Sequence, residues 1–253
     1  SGFGQTGPYA ARPGYASVCE AFGGLRHLTG EPGEVPVRAN LSLGDSLAGL
    51  HAVIGILLAL ESRRRSGRGQ VVDAAIFESV FNVLESVVPE FDRAGAVRGP
   101  SGRTVSGIVP SNAYPTADGA WVVVGANNSA NFRRLMQTIG RADLAADPEL
   151  ELNPGRVRRQ AELDEAITLW TQSQPAAVVV ERLVAAAVPA STIYTVADMF
   201  ADPHYRARGL FESVEAAGRA LILPAMLPRL AESPGATDWA GPELGAHNVE
   251  VYC

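Results

Sequence analysis

Apolar residues at three- and four-residue spacing predict the longest helix of the chain, over residues 46–61. We expect the spaced positions to form one buried face of that helix. Asp45 directly precedes the helix, so it lies at a helix start. An Asp at such a position normally caps the helix by accepting backbone N–H bonds, and position alone predicts that role. The spaced apolar positions are Leu47, Leu50, Val53, Ile54, Leu57 and Leu58.

Short helices and short strands fill the rest of the pattern. Residues 112–116 and 121–125 flank the turn residues Ala117, Asp118 and Gly119, which predicts a β-hairpin. Residues 89–112, rich in Gly, Arg and Ser, predict a long loop that divides the chain. The other predicted helices cover residues 17–28, 76–88, 129–139, 158–173, 176–187, 196–201 and 205–208, and the other predicted strands cover residues 71–75, 191–194, 211–215 and 220–223.

Composition bounds the class of protein. A chain of 253 residues with 47% hydrophobic side chains can bury a sizeable core. We take the apolar run that ends at Glu61 as too short to cross a bilayer, so no membrane is expected. A net charge of -6 argues against nucleic acid as a partner. Two cysteines and four histidines give neither a disulfide framework nor a zinc signature, so we expect no metal and a cytoplasmic location.

The residue types present exclude several catalytic chemistries. All 21 basic residues are arginine, which excludes Schiff-base catalysis by lysine and the phosphate-binding P-loop. Ser46 lies in no nucleophile elbow, and His51 has no evident relay partner. A carboxylate, however, is charged at neutral pH and can attack an activated acyl group without a partner base, giving a mixed anhydride. Asp45 is therefore the candidate nucleophile.

Two further segments carry candidate binding groups. Residues 12–15 form a turn of Arg, Pro, Gly and Tyr that presents Arg12 and Tyr15, and the residues alone indicate a surface turn. Residues 99–107 include Gly102 and Gly107. Such a loop is either a mobile lid that offers backbone N–H groups to an oxyanion or a flexible linker, and composition slightly favours the linker.

A series of short motifs occurs along essentially the whole chain in a specific order and spacing. They are SGFGQTGPY at 1–9, RPGY at 12–15, LTG at 28–30, GD at 44–45, GRGQ at 67–70, YPTADG at 114–119, VPA at 188–190, ADPH at 201–204 and LGAH at 244–247. Together these motifs strongly resemble the class III coenzyme A transferases, the CaiB/BaiF-like family of formyl-CoA and carnitine CoA-transferases.

The resemblance implies roles for the candidate residues. In that family an aspartate at the position of Asp45 forms the acyl-enzyme and aspartyl-CoA thioester intermediates, which makes Asp45 the expected nucleophile. Tyr15 is expected to line the thioester site, and Arg12 to contact a phosphate of CoA. Gly102 and Gly107 are expected to be a diluted version of the family's glycine run that closes over the intermediate. Coenzyme A, as part of the substrate, is the only cofactor implied.

The resemblance also implies the fold and the assembly. We expect an α/β protein with an incomplete Rossmann-like large domain, residues 1–95 and 191–253, and a smaller α+β domain, residues 96–190. Family members form interlocked dimers, so a homodimer is expected. The chain opens without Met in a glycine-rich loop. We therefore expect a missing N-terminal segment, which in the family supplies most contacts to the adenine nucleotide.

The predicted activity is transfer of CoA from an acyl-CoA donor to a carboxylic acid through an aspartyl intermediate. Residues 108–112 and 193–195 look most like members that handle small dicarboxylates such as succinate or malate. One alternative is the racemase branch of the family, which acts on 2-methylacyl-CoA and has a histidine where this chain has Tyr15. A phenol is a poor partner for reversible α-proton abstraction at neutral pH, which favours the transferase. The other alternative is a non-catalytic fragment that needs a partner chain.

Overall fold

The computed structural model describes residues 1–253, which divide into two units, residues 1–192 and 193–253. The first unit contains helices and one sheet, with a 3-10 turn at Pro148–Leu150. Its elements are α1 (Ala16–Phe22), α2 (Leu25–Leu28), α3 (Leu43–Ser66), α4 (Ile76–Asn82), α5 (Val87–Ala94), β1 (Ser111–Pro115), β2 (Trp121–Gly125), α6 (Ser129–Thr138), α7 (Ala142–Ala145), α8 (Asn153–Arg158), α9 (Gln160–Thr171), α10 (Ala176–Ala185) and β3 (Ala190–Thr192).

The second unit pairs short helices with a two-stranded sheet. A capping box, in which Thr195 and Asp198 bond each other's backbone N–H groups, begins its first helix. Its elements are α11 (Val196–Ala201), α12 (Pro203–Ala207), β4 (Phe211–Ala216), β5 (Arg219–Pro224) and α13 (Asn248–Tyr252).

All strand pairs are antiparallel. The first sheet has the order β1-β2-β3, and the second consists of β4 and β5. The predicted hairpin is confirmed: Tyr114 lies opposite Val122, and Gly119 takes a positive φ of 79° in the turn. The mixed helix-and-sheet class is also confirmed. A Rossmann-like sheet, which is built mainly from parallel strands, is not formed by these residues and stays a prediction for the whole protein.

The main hydrophobic core lies within residues 109–188. Inward-facing side chains of β1 and β2 form one apolar cluster with side chains of α6, α9 and α10. The fully buried members include Tyr114, Val122, Leu135, Ile167 and Leu183. The predicted division of the chain near residues 95 and 190 stays a prediction, although this core occupies most of the segment between them.

The long helix α3 differs from its prediction in extent and in burial. It begins at Leu43 and ends at Ser66, where Gly67 closes it with a φ of 72°. The expected buried face is wrong: Leu50, Val53, Ile54, Leu57 and Leu58 are exposed. Within this chain only α1 and α4 pack on α3 to a substantial extent. Apolar spacing identified the helix but could not show which surface covers it.

The length of α3 also changes the membrane prediction. The helix is 24 residues long, and by length and composition it could cross a bilayer. The argument that the apolar run is too short was therefore wrong. Core helices of soluble proteins pass the same test, so this finding alone assigns no membrane segment.

Two predicted helices are broken by backbone turns. The helix over residues 17–28 is interrupted at Gly23 and Gly24, and Gly24 has a φ of 93°. The helix over residues 76–88 divides into α4 and α5, with Glu85 at a φ of 52° between them. A positive φ is incompatible with a continuing right-handed helix. The long loop consequently begins only after Ala94.

Residues 71–75 do not form the predicted strand. A strand requires a neighbouring strand to bond with, and here the backbone beside the segment bonds to the first residues of the chain, which form no strand. The Ile76 N–H donates to the Ser1 carbonyl at 2.9 Å, and the Phe77 N–H donates to the Gly2 carbonyl at 3.3 Å.

Candidate active site

Asp45 lies in the first turn of α3, at the third helical residue. The residue at the cap position is Ser42, whose side chain makes no capping bond. The Asp45 carboxylate is exposed and has no hydrogen-bond or ion-pair partner in the chain. Position at a helix start is confirmed, but the capping role is wrong. The carboxylate is left free for other chemistry.

Gly44 fixes the backbone immediately before Asp45. Its N–H donates to Glu20 Oε1 at 3.0 Å. A Cβ on this buried glycine would lie 3.0 Å from Ile76 Cγ2 and 3.2 Å from Glu20 Cγ. These distances are tighter than ordinary van der Waals contact, so the absence of a side chain lets α3 approach α1 and α4 here.

Glu20 and Arg38 belong to this arrangement, and sequence reasoning missed both. The Glu20 side chain is 2% exposed and forms an ion pair with Arg38, whose Nε lies 3.1 Å from Glu20 Oε2. Arg38 Nη2 also donates to the Leu41 carbonyl at 3.0 Å. The available signal was the single charged residue in the sequence of α1, because a buried charge requires a partner.

Tyr15 occupies the cap position of α1, and its side chain is 84% exposed. Its carbonyl accepts the Cys19 N–H at 3.0 Å, one turn into the helix. Burial raises the pKa of the Cys19 thiol, and the nearby negative charge of Asp45 raises it further. Tyr15 and Asp45 therefore lie at the N-terminal ends of two helices that pack together.

Arg12 lies on the surface of the loop that precedes α1. Its guanidinium carbon lies 3.4 Å from the centroid of the Tyr9 ring, a cation–π contact. The Arg12 N–H also donates to the Tyr9 carbonyl at 2.9 Å. No carboxylate neutralises Arg12, so its charge is available to an anion.

Gly102 and Gly107 both have positive φ angles, 62° and 75°. The Gly102 N–H donates to the Gly30 carbonyl at 2.9 Å, and a Cβ on Gly102 would lie 2.5 Å from a carboxylate oxygen of Glu31. The Gly107 carbonyl accepts Asn153 Nδ2 at 2.7 Å. The loop is thus held at both glycines. No hydrogen bond joins either glycine to Asp45, Tyr15 or Arg12.

No group of three or more His, Cys, Asp or Glu side chains is placed to hold a metal ion. This part of the chain presents an unpaired carboxylate at one helix start, an exposed phenol at another and, three residues before that phenol, an unpaired arginine. A free carboxylate with a fixed backbone is suited to nucleophilic attack on an activated acyl carbon.

Comparison with known proteins places this arrangement in one family. The sequence model of CoA-transferase family III matches residues 1–248, and the chain belongs to that family. It is similar to the succinyl-CoA–D-citramalate CoA-transferase of Chloroflexus aurantiacus, with 44% identity over 253 residues, which are 100% of this chain and 63% of that protein. It is also similar to the succinate–glutarate CoA-transferase of Agrobacterium fabrum, with 32% identity over 99% of this chain and 63% of that protein.

A solved structure shows the same fold. A CaiB/BaiF family protein from Brucella suis superposes with a TM-score of 0.81 and 31% identity, over 99% of this chain and 65% of that one. The chain therefore spans less than two thirds of the length of these relatives.

Proposed function

We propose that the protein containing this chain is a class III CoA-transferase in which Asp45 is the nucleophile. The observation that carries the proposal is the state of Asp45: its carboxylate is exposed and unpaired, while the backbone beside it is fixed by the bond from the Gly44 N–H to Glu20. Membership of CoA-transferase family III and the names of the relatives support this activity.

The proposed reaction passes through a mixed anhydride, an aspartyl-CoA thioester and a second mixed anhydride. A carboxylate oxygen of Asp45 attacks the thioester carbonyl of the donor, the C–S bond breaks, and CoA leaves as the thiolate. The thiolate then attacks the Asp45 carbonyl of the mixed anhydride, which releases the donor acid and leaves an aspartyl-CoA thioester. The acceptor carboxylate repeats these steps in reverse, which yields the new acyl-CoA and the free Asp45 carboxylate.

The start of α3 suits a group that must both attack and leave. Partial positive charge at a helix N-terminus favours a negative charge in the first turn. The same field stabilises the Asp45 carboxylate when it is the leaving group of the anhydride with the acceptor acid. In this proposal Tyr15 lines the thioester site, Arg12 contacts a phosphate of CoA, and the loop with Gly102 and Gly107 closes over the intermediate.

We propose small dicarboxylic acids as the acceptor class and succinyl-CoA as the donor. The names of the relatives support this choice of donor and acceptor: they include succinyl-CoA–D-citramalate, succinyl-CoA–L-malate and succinate–glutarate CoA-transferases. A panel of dicarboxylic and monocarboxylic acids of equal carbon number tests it. We expect turnover with the dicarboxylic acids, and equal rates across both sets would contradict the assignment.

Mass spectrometry of the intact full-length protein tests the role of Asp45. With succinyl-CoA we expect a covalent adduct that hydroxylamine removes, and Asp45→Ala should abolish it. Glu78→Ala is the matched control, since Glu78 is also an exposed carboxylate in a first helical turn, that of α4. An adduct that persists in Asp45→Ala, or disappears in Glu78→Ala, would contradict the mechanism.

Reactions in deuterated water, one with succinyl-CoA and one with a 2-methylacyl-CoA, separate transfer from racemisation. A transferase that works through Asp45 leaves the α-carbon protons of the acyl group in place. We therefore expect CoA transfer without deuterium incorporation into the recovered acyl-CoA. Rapid incorporation without transfer would instead identify a racemase.

We also propose that the whole protein acts as a homodimer. Exposed apolar residues form a surface along α3 whose contact with water is unfavourable; they include Leu50, Ile54 and Leu57. Sedimentation equilibrium of the full-length protein should give twice the chain mass, and a monomer at micromolar concentration would refute this. A cytoplasmic location and the absence of nucleic-acid partners stay predictions.

A further inference from the structure

A buried carboxylate in the middle of α1 has no role in the proposed bond-making steps. Glu20 is 2% exposed and lies where α1 packs on the start of α3. Removing a carboxylate from water is strongly unfavourable unless the charge is paired and both oxygens accept hydrogen bonds. Both conditions are met here, and both partners belong to the segment that leads into Asp45.

The two oxygens of Glu20 hold two different points of that segment. Oε1 accepts the Gly44 N–H at 3.0 Å, and Oε2 accepts Arg38 Nε at 3.1 Å. Arg38 continues to the Leu41 carbonyl through Nη2, at 3.0 Å. Residues 38–44 are therefore tied to α1 at both ends, immediately before the candidate nucleophile.

The start of α3 lacks a cap of its own, which gives Glu20 its importance. The first N–H groups of a helix have no intrahelical acceptor, and a local side chain normally satisfies one of them. Ser42 does not. Glu20, 24 residues earlier in the chain, accepts the Gly44 N–H instead. The capping hydrogen bond of the Gly44 N–H, next to Asp45, is thus accepted by a side chain of another helix.

We propose that Glu20 is a positioning residue, which fixes the backbone at Gly44 and thereby the place of the Asp45 carboxylate, and that Arg38 holds Glu20 in this role. This rests on the proposed function of Asp45. Glu20 does not touch the reacting atoms. It acts through the Gly44 N–H, so its loss misplaces the nucleophile without removing a substrate contact.

The test compares Glu20→Leu with Glu20→Gln in the full-length protein. Leucine keeps the volume but offers no acceptor, whereas glutamine keeps one oxygen for the Gly44 N–H and loses the ion pair. For folded Glu20→Leu we expect kcat to fall about 100-fold, with KM for succinyl-CoA within about twofold, as expected for a misplaced catalytic group. Glu20→Gln should lower kcat only about tenfold, because it keeps the acceptor for the Gly44 N–H but breaks the pair with Arg38, and its thermal stability should fall as well.

Tyr114→Phe is the control for lost stability. It removes the bond from Tyr114 to Asp164, 2.6 Å long, within the core of residues 109–188. We expect lower thermal stability with unchanged kcat per folded molecule. Glu20→Leu should in addition slow single-turnover formation of the adduct on Asp45, which a purely structural defect does not do once the folded fraction is accounted for.

Several results would overturn the inference. Folded Glu20→Leu with the wild-type kcat is one, and equal kcat losses in Glu20→Leu and Glu20→Gln are another. If Glu20→Leu does not fold, Arg38→Gln decides, because it frees Glu20 Oε2 and the Leu41 carbonyl at a part-exposed site; we expect kcat about tenfold lower at unchanged KM. An unchanged kcat there refutes the positioning role. An adduct that persists in Asp45→Ala refutes the proposed function instead.

Discussion

Among the side chains of residues 109–188, Arg156 donates hydrogen bonds to the largest number of backbone carbonyls. Its guanidinium is 1% exposed and donates to the carbonyls of Asn127, Val109, Leu150 and Glu151 at 2.6 to 3.0 Å. Burial lowers the pKa of Arg156, because desolvation disfavours the charged form. The four carbonyls offset that penalty and tie three separate loops to one point.

Arg156→Met should therefore be strongly destabilising. Charged hydrogen bonds contribute about 1.5–3 kcal/mol each, and the carbonyls left behind are buried, so we expect the free energy of unfolding to fall by at least about 3 kcal/mol. Urea unfolding followed by tryptophan fluorescence measures the change. Arg133→Met, an exposed arginine of α6, is the matched control and should stay within about 0.5 kcal/mol of wild type. Similar losses in the two variants would contradict the assigned role.

Asp45 and Glu20 differ in how far sequence identifies them. The motif around Asp45 carries its position and its expected chemistry, so the residue could be predicted. The structure adds that Asp45 does not cap α3. Glu20 is in contact with residues 18 and 24 positions further along the chain. No local pattern encodes such contacts, which is why the support of Asp45 became visible only in the folded chain.

Among the elements, the first turn of α3 is the one whose packing matters most to Asp45. Gly44 and Gly49 lie in the same helix but in opposite surroundings. A Cβ on Gly44 would press on Ile76 and Glu20, whereas nothing lies within 4 Å of a Cβ on Gly49. In an open helical position alanine is favoured over glycine by about 0.5–1 kcal/mol.

The two alanine variants should therefore shift stability in opposite directions. We expect Gly49→Ala to raise the free energy of unfolding by about 0.5 kcal/mol or more. Gly44→Ala should lower it by about 1 kcal/mol or more, because crowding at a packed contact outweighs the gain in helix propensity. Chemical denaturation of both variants under identical conditions measures the difference. Stabilisation by Gly44→Ala would contradict the close packing of α3 on α1 and α4.

Elements defined by local chemistry were predicted well, and elements defined by partners were not. The hairpin of β1 and β2 and the helix α11 follow from turn and capping residues. The strand expected at residues 71–75 lacks a neighbouring strand, and the expected buried face of α3 lacks a covering surface. Apolar periodicity shows which side chains of a segment could be buried. It does not show which other part of the protein would cover them.

For the molecule as a whole, acid should be destabilising. The guanidinium of Arg141 lowers the pKa of Asp143 to about 2, and Arg159 lowers the pKa of Glu162 and of Asp147. A carboxyl whose pKa is lower in the folded state contributes stability above its unfolded pKa, about 3.9 for Asp, and that contribution is lost as pH falls through the folded value. The stability should thus decline from about pH 4 toward pH 2.

Unfolding midpoints in urea across this pH range measure the effect. Asp143→Asn removes one titrating group from the folded state, so its midpoint should depend less on pH than that of wild type. These carboxylates are exposed, and salt should weaken the difference. A midpoint that rises as pH falls from 4 to 2, or an Asp143→Asn variant with the same slope, would contradict the ion-pair assignment.

The class of the molecule was predicted from motifs spread along its whole length, because their order and spacing identify the family without reference to contacts. The Rossmann-like sheet and the dimer remain predictions. Each would need surfaces outside the strands and helices of this chain, and the exposed apolar face of α3 is the plainest candidate for such a surface.

Transfer of oxygen isotope from acceptor to enzyme tests the central claim most directly. If the acceptor carboxylate attacks an aspartyl-CoA thioester and the resulting anhydride is cleaved at the acceptor carbonyl, one acceptor oxygen remains on Asp45. Full-length protein turned over with ¹⁸O-labelled dicarboxylate should therefore carry the label in the peptide that contains Asp45 and in no other. A protein that transfers CoA with no label on that peptide, or with the label on another carboxylate, would contradict Asp45 as the nucleophile.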